Sequence, residues 1–430
     1  MPMWPAPTSL ASTRAEEAHT AHAGTTAQAV ASAPGTWSIA GEHSGHFGGI
    51  VIMGISDLRA AAAVSSRSDG FIKVRLIEST PSGEKITDEA ITLDELAKRY
   101  AQQQPGIDEQ GRPTIPPLPQ GTLAARIGGV IWMMINRQLI SRETAGADVT
   151  IVCDIPLDSG LGALAAADVA VALAMMPENS ELEPPMRARI SDVCAQAVDT
   201  FSSLPSLPAR HTAALRTEEG SVSIIDYADH SVTKAAAPIS GAQRAFILYP
   251  AETNVVEQNV EIQQRRQFVN DASHAFGTES LRLLPDAPER VLDWLNAVHK
   301  VHGSKGQPAI AEASGWLRFY ESETARTHQV ARALRSGAWN DIGNILALSQ
   351  QDLRTYYGLN NADALSELAI ARRALSARAA SAGSSNAVLT FVPSERAENF
   401  AADFSADGLI VVPVVHGTAA QVEPLTHNSQ

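Results

Sequence analysis

Between Ala33 and Gly49 the chain reads APGTWSIAGEHSGHFGG, a stretch with five glycines and, near its centre, Glu42, His43 and His46. Glycine at this density marks turns and close backbone approach rather than regular structure. Ile39 sits at the predicted end of one strand. Gly49 to Ile55 is almost uninterruptedly apolar, the pattern of a buried strand. A polar, glycine-rich connection between two buried strands, carrying a carboxylate and two imidazoles, has the chemistry to hold a small polyhydroxylated ligand.

A second stretch limits the fold further. Gly146 to Ile155 reads as a strand, with Val149, Ile151 and Cys153 on one face. It runs directly into Pro156-Leu157-Asp158-Ser159-Gly160-Leu161-Gly162 and then an Ala-rich helix reaching about Met176. A glycine turn between a strand and a helix offers free N–H groups and the positive end of a helix dipole, the makings of a phosphate cradle. Composition alone favours that reading no more than a tight structural turn.

Elsewhere, Leu58 to Ser65 and Gly70 to Leu76 read as strands, and Glu78 to Lys85 as turn-rich. Thr92 to Gln103 reads as a helix opened by a Thr92-x-x-Glu95 capping box. Thr122 to Ile140 and Pro185 to Ser203 read as helices, Ser206 to Gly220 as a connector, and Ser221 to Asp226 and Ala245 to Tyr249 as strands. Val256 to Tyr356 is mostly helical, broken at Gly303 to Gln307, and Asp363 to Ser376 is helical. The apolar strands Ala387 to Val392 and Leu409 to Val415 flank a helix, Ser394 to Phe404. Strands and helices mix without a βα repeat, which gives an α+β class in two lobes meeting near residue 205. The expected organisation is a mobile tail over 1–30, an N-terminal domain over 31–205 and a C-terminal domain over 206–430.

At 430 residues the chain can bury a large core, and its net charge of −14 comes with no basic block. That balance argues against nucleic acid or an anionic membrane as partner. The longest apolar run, Leu161 to Met176, is short for a membrane span and carries Asp168. Two cysteines, Cys153 and Cys194, make no disulfide framework, so a cytoplasmic setting is expected.

With both glycine-bearing stretches in view, the chain resembles the galactokinases of the GHMP (galacto-, homoserine, mevalonate and phosphomevalonate) kinase superfamily. The first stretch is similar to that family's APGRVNLIGEHTDYNGG motif. DIPLDSGLGALAAAD, Asp154 to Asp168, is similar to its DVPLGAGLSSSAALE motif. The resemblance continues through SVSIIDYADHSV, ILYPAETN, QRRQF and the stretch beginning YESETARTHQ, covering 30–425. It implies a two-lobed GHMP-kinase fold with the ligand cleft between the domains, and ATP with Mg2+ as cofactors if the protein is active. Glu42 and His43 then stand at sugar-binding positions, and Ser159, Gly160, Leu161, Gly162, Ala163 and Leu164 form the phosphate loop. No metal-ligating set is implied among the protein's own residues.

The departures from the family pattern fall on its chemistry. The first-motif arginine is Thr36, the aspartate after the Glu-His pair is Gly45, and the next two positions are His46 and Phe47. The catalytic aspartate position, counted back from Asp226, is Arg210, followed by His211. An arginine has no acceptor and cannot take a proton from a sugar hydroxyl. The phosphate-loop serines are replaced by Gly162, Ala163 and Leu164. The glycine-rich third motif reads Ser381 to Ala387 with a single glycine, and a sugar-contacting tyrosine is Ile262. Three functions are compatible with this pattern: a catalytically impaired or inactive galactokinase relative that binds a small-molecule sugar or related ligand, a kinase with a changed acceptor using Glu42 or His211 as base, and a plain galactokinase. Arg210 reads either as a group for an anionic ligand or as a salt-bridged side chain. His43, His46 and His211 read either as unrelated or as a cluster across the cleft.

Overall fold

A computed structural model describes residues 4–104, 106–107, 113–114, 116–177, 180, 182–239, 241–251 and 258–426. The N-terminal half consists of α1 (Ala11–Ala23), β1 (Ala29–Ala40), β2 (Ile50–Ser66), β3 (Phe71–Thr80), β4 (Gly83–Thr92) and α2 (Leu93–Gln102). The short pair β5 (Gly106–Ile107) and β6 (Pro113–Thr114) follows, then α3 (Leu123–Asn136), β7 (Ala147–Cys153), α4 (Ala163–Met175) and α5 (Pro184–Phe201). Next come α6 (Pro208–Arg216), β8 (Ser221–Asp226), β9 (Ser231–Ala236), β10 (Gln243–Pro250), α7 (Asn259–Phe276), α8 (Ala287–His302), α9 (Ile310–Ser336) and α10 (Trp339–Asp352). The chain closes with α11 (Asp363–Ala371), β11 (Ser376–Ala379), β12 (Val388–Pro393), α12 (Ala397–Ala406), β13 (Leu409–Val414) and β14 (Gln421–Glu423).

β2 is the spine of an eight-stranded sheet. Its first half pairs with β8 and its second half with β7, while β1 runs antiparallel beside it. The expected separate strands Gly49 to Ile55 and Leu58 to Ser65 are therefore one strand. Its alanine run explains what lies on either side. Ala60 and Ala62 face the main core with α3, α4 and α5, and Ala61 and Ala63 face α1. A stripe without side-chain bulk lets helices close on both faces of the same strand.

That second face corrects the reading of 1–30 as a mobile tail. Within it Ala11–Ala23 form α1, with Ala15 and His19 fully buried. His19 bonds Thr150 Oγ1 at 3.1 Å and Ser65 Oγ at 2.9 Å, and Trp4 Nε1 donates to the Asp154 carbonyl at 3.1 Å. Burial lowers the His19 pKa, so the ring is held neutral.

The four-stranded sheet β11-β12-β10-β13 is antiparallel throughout. Alternation splits its side chains. Ala245, Ile247, Leu389 and Phe391 join the main core, and Phe246, Leu248, Val392 and Val411 join a second core with α7 to α9 and α12. Three further expectations change. The sheet of the N-terminal half takes in β8, β9 and β14, so it extends past residue 205. The connector Ser206 to Gly220 contains α6, whose Pro208 takes the first helical position, where its missing N–H costs nothing. Glu78 to Lys85 is the hairpin joining β3 to β4. Thr92 caps α2 as expected, accepting from Glu95 N at 3.1 Å. The ILYPAETN resemblance runs beyond the described residues after 251. Cys153 and Cys194 are both free and buried. Among the described residues no helix is long and apolar enough to cross a membrane.

Candidate functional site

The loop between β1 and β2, the turn before α4, the start of α6 and the segment after β11 converge on one point. Arg210 is its centre. Its Nη1 donates to the Thr36 carbonyl at 2.8 Å and to Thr36 Oγ1 at 3.2 Å, and its Nη2 donates to the Ala380 carbonyl at 3.1 Å and to Glu42 Oε1 at 3.5 Å. Arg210 and Glu42 are both buried, 4% and 3% exposed. Burial pulls the Glu42 pKa up against the attraction of Arg210 and Arg378, and it pulls Arg210 down against Glu42. Both partners are thus pushed toward their neutral forms.

The network continues inward. Glu42 Oε2 accepts from Ala382 N at 3.1 Å and lies 4.0 Å from Arg378 Nη1. Arg378, on β11 and 1% exposed, donates to Ser349 Oγ at 2.8 Å and to Glu323 Oε1 at 3.1 Å. That same Glu323 oxygen accepts from Gly41 N at 2.8 Å. Arg378, Glu323 and Ser349 were missed from sequence. The available signal was an arginine in the otherwise apolar, alanine-rich strand SARAA.

His43 has a φ of +70°, a left-handed conformation uncommon for a residue with a side chain. Its Nε2 donates to the Ala382 carbonyl at 2.9 Å, so in the neutral ring Nδ1 is an acceptor, and that buried atom has no partner among the described residues. Burial first, then the field of Arg266, lowers the His43 pKa to about 3. His46 is lowered for the same two reasons. Gly45 stands against the Tyr227 ring, where a Cβ would lie 3.1 Å from a ring carbon.

The turn before α4 is packed shut. Thr36 N donates to the Leu161 carbonyl at 2.7 Å, and Leu161 is fully buried. Gly160 (φ +71°) abuts β11's continuation, and a Cβ there would meet Ala380 Cβ at 2.8 Å. Gly162 (φ +69°) caps α4, and a Cβ there would meet Thr36 Oγ1 at 2.8 Å and Arg210 Cδ at 2.9 Å. Ser159 Oγ donates to the Pro156 carbonyl of its own turn at 2.6 Å. Ala163 and Leu164 open α4 and bring no polar side chain. Ser385 Oγ donates to the Asp158 carbonyl, joining the turn to the segment 381–387. Ile262 is fully buried on α7, and its Cδ1 would lie 2.8 Å from a Cβ on Gly383.

His211 does not face the cleft. Its Nε2 lies 3.0 Å from Asp168 Oδ2, and Asp168 takes a two-pronged ion pair from Arg126 at 2.9 and 2.6 Å. Burial opposes the Asp168 charge, but Arg126 and His211 prevail and hold its pKa below the usual carboxylate value. The reading of His43, His46 and His211 as one cluster is therefore set aside. Among the described residues no group of three or more His, Cys, Asp or Glu is placed to hold a metal. What space the site has is a cavity of about 90 Å³, bordered by Glu42, His43, Arg210 and Tyr227.

Residues 17–66 match the galactokinase galactose-binding signature. The chain is 25% identical over 370 residues to the galactokinase of Streptomyces coelicolor, covering 85% of this chain and 84% of that one. It is 25% identical to human galactokinase, covering 79% of this chain and 77% of that one. In structure it resembles Lactococcus lactis galactokinase, crystallised with galactose, at a TM-score of 0.69 and 16% identity over 95% of this chain and 99% of that one. It also resembles Methanococcus jannaschii mevalonate kinase at 0.54 and 12% identity over 92% and 98%. At these identities the structural likenesses speak to the fold, the α+β architecture of GHMP kinases.

Proposed function

We propose that this chain, which belongs to the galactokinase family of the GHMP kinase superfamily, is catalytically impaired or inactive as a sugar kinase and uses its former site to bind a small molecule. The observation that carries this reading is Arg210. It stands at the position of the family's catalytic aspartate, offers no acceptor for a sugar proton, and is committed to Thr36, Glu42 and Ala380. Loss of a general base costs on the order of 10² to 10⁴ in rate.

Phosphoryl transfer depends on positioning and charge stabilisation. Mg2+ and a triphosphate do not fit the residues present at the turn before α4. The turn brings Ala163 and Leu164 where anion and metal ligands would be needed, its one hydroxyl is turned onto Pro156, and Gly160 lies against Ala380. At about 90 Å³ the cavity at Glu42 admits only a ligand of a few non-hydrogen atoms.

The second reading is an ATP-dependent kinase with a changed acceptor, favoured by the retained Glu42-His43 pair. His211 as its base is disfavoured by the bond to Asp168. Calorimetry with ATP in magnesium buffer tests it, and absence of binding removes it. Expression in cells lacking galactokinase tests the first reading: with the protein's presence verified, growth on galactose is expected to fail, and rescue would contradict it.

A further inference from the structure

Ahead of α1 the chain runs as an arm. Residues 5–10 are exposed, and 5–9 make no hydrogen bond among the described residues. Pro5 and Pro7 lack an N–H and hold φ fixed, which stiffens the arm. Trp4, at its near end, is by contrast only 8% exposed and packs into the main core. A buried indole carried by an exposed, stiff arm is a single anchor point.

That anchor is bonded to both sheets. Trp4 N donates to the Val411 carbonyl at 2.8 Å, on β13, an edge of the four-stranded sheet. Its Nε1 donates at 3.1 Å to the carbonyl of Asp154, which follows β7 and leads into the turn before α4. The same turn meets the sheet again near its other edge, β11. There Gly160 lies against Ala380, and Ser385 Oγ donates to the Asp158 carbonyl. Asp154 also keeps the arm separate from α1. Its carboxylate takes Arg14 of α1 at 2.5 Å and Ser79 Oγ at 3.0 Å, and only its carbonyl takes Trp4. With His19 bonded to Thr150 and Ser65 besides, releasing Trp4 breaks none of these bonds of α1.

We propose that Trp4 is a releasable clamp on the candidate site. Docked, it holds the four-stranded sheet to the turn before α4 and keeps the loop between β1 and β2 seated on its partners. Released, with α1 still in place, it lets that junction open. Two backbone amides mark the junction: Gly41 N on Glu323 at 2.8 Å and Ala382 N on Glu42 at 3.1 Å. Local opening well short of global unfolding is expected where few contacts hold an exposed segment. The clamp acts whether or not the site transfers phosphate to a sugar, so its failure leaves the reading of Arg210 untouched.

The test is hydrogen exchange of the full chain, resolved to single amides, in the native protein and in Trp4→Ala and Trp4→Phe. In the native protein the Trp4 amide is expected to be protected at least about tenfold less than the amides of β2 opposite β7, because the arm detaches while the sheet stays whole. In Trp4→Ala the protection of Gly41 and Ala382 is expected to fall about tenfold, the worth of one lost hydrogen bond, with β2 unchanged. Trp4→Phe, which keeps a ring and loses the N–H, is expected to lose less. Unchanged protection of Gly41 and Ala382 in Trp4→Ala would overturn the proposal. So would an equal fall across β2, which would make Trp4 a contributor to global stability alone. A native Trp4 amide as protected as β2 would overturn it too, and that measurement stands even where Trp4→Ala does not fold.

Discussion

Arg210 of α6 and Glu42 of the loop between β1 and β2 meet at 3.5 Å with both side chains almost wholly buried. The contact ties the start of α6 to the loop between β1 and β2. Removing either partner strands a charge in the interior, although Glu42 keeps Ala382 N and the more distant Arg378.

Arg210→Ala is therefore expected to destabilise the fold by about 3 kcal/mol, the usual cost of stranding one member of a buried pair. The double variant Arg210→Met with Glu42→Leu is expected to lose much less, because no lone charge remains. Urea denaturation of the single and double variants measures the difference. Equal losses would mean that packing, not charge, dominates at Arg210.

The segment most plainly legible in sequence was the strand, turn and Ala-rich helix ending in α4, because its apolar period and its glycines act locally. The convergence of Arg210, Glu42 and Arg378 was not legible, since it joins elements distant in sequence and depends on how the sheets meet. α1 escaped for a related reason. Its alanines, serines and histidines look like tail composition until Ala61 and Ala63 supply a smooth surface to cover. α6 lies within the stretch Ser206 to Gly220 expected as a connector; Pro208 takes its first helical position, where its missing N–H costs nothing.

Stability should depend on pH through His43. Its folded pKa of about 3 lies below its unfolded value, so its contribution is present above about 6.5 and is lost as pH falls toward 3. Between pH 6.5 and 5 the loss should be on the order of 2 kcal/mol. Glu42, raised by burial, acts with the opposite sign, its contribution present at low pH and lost as pH rises. The comparison is therefore between the native chain and His43→Asn, asparagine being at ease at a positive φ. Urea titrations at both pH values should show a shallower slope for the variant, and identical slopes would contradict the assignment.

Asp168 carries Arg126 and His211 at once, with no water-facing oxygen to spare. Asp168→Asn is expected to destabilise by about 3 to 5 kcal/mol. His211→Gln should cost less, since the Arg126 pair survives. Chemical denaturation ranks the two, and a His211 effect as large as that of Asp168 would count against this order.

Closure of the turn before α4 is tested by Gly160→Ala. The substitution demands a left-handed alanine and a Cβ 2.8 Å from Ala380 Cβ. Together these should cost about 2 kcal/mol or more, seen as a lowered melting temperature. No change would mean that the turn and Ala380 stand apart in solution.

Loss of sugar-kinase chemistry is tested most directly by incubating the purified chain with galactose, ATP and Mg2+ and measuring galactose 1-phosphate. With Arg210 at the proposed catalytic position and bound to Thr36, Glu42 and Ala380, the expected result is none above the enzyme-free background. Product that accumulates in proportion to protein, and disappears in Arg210→Ala, would contradict it.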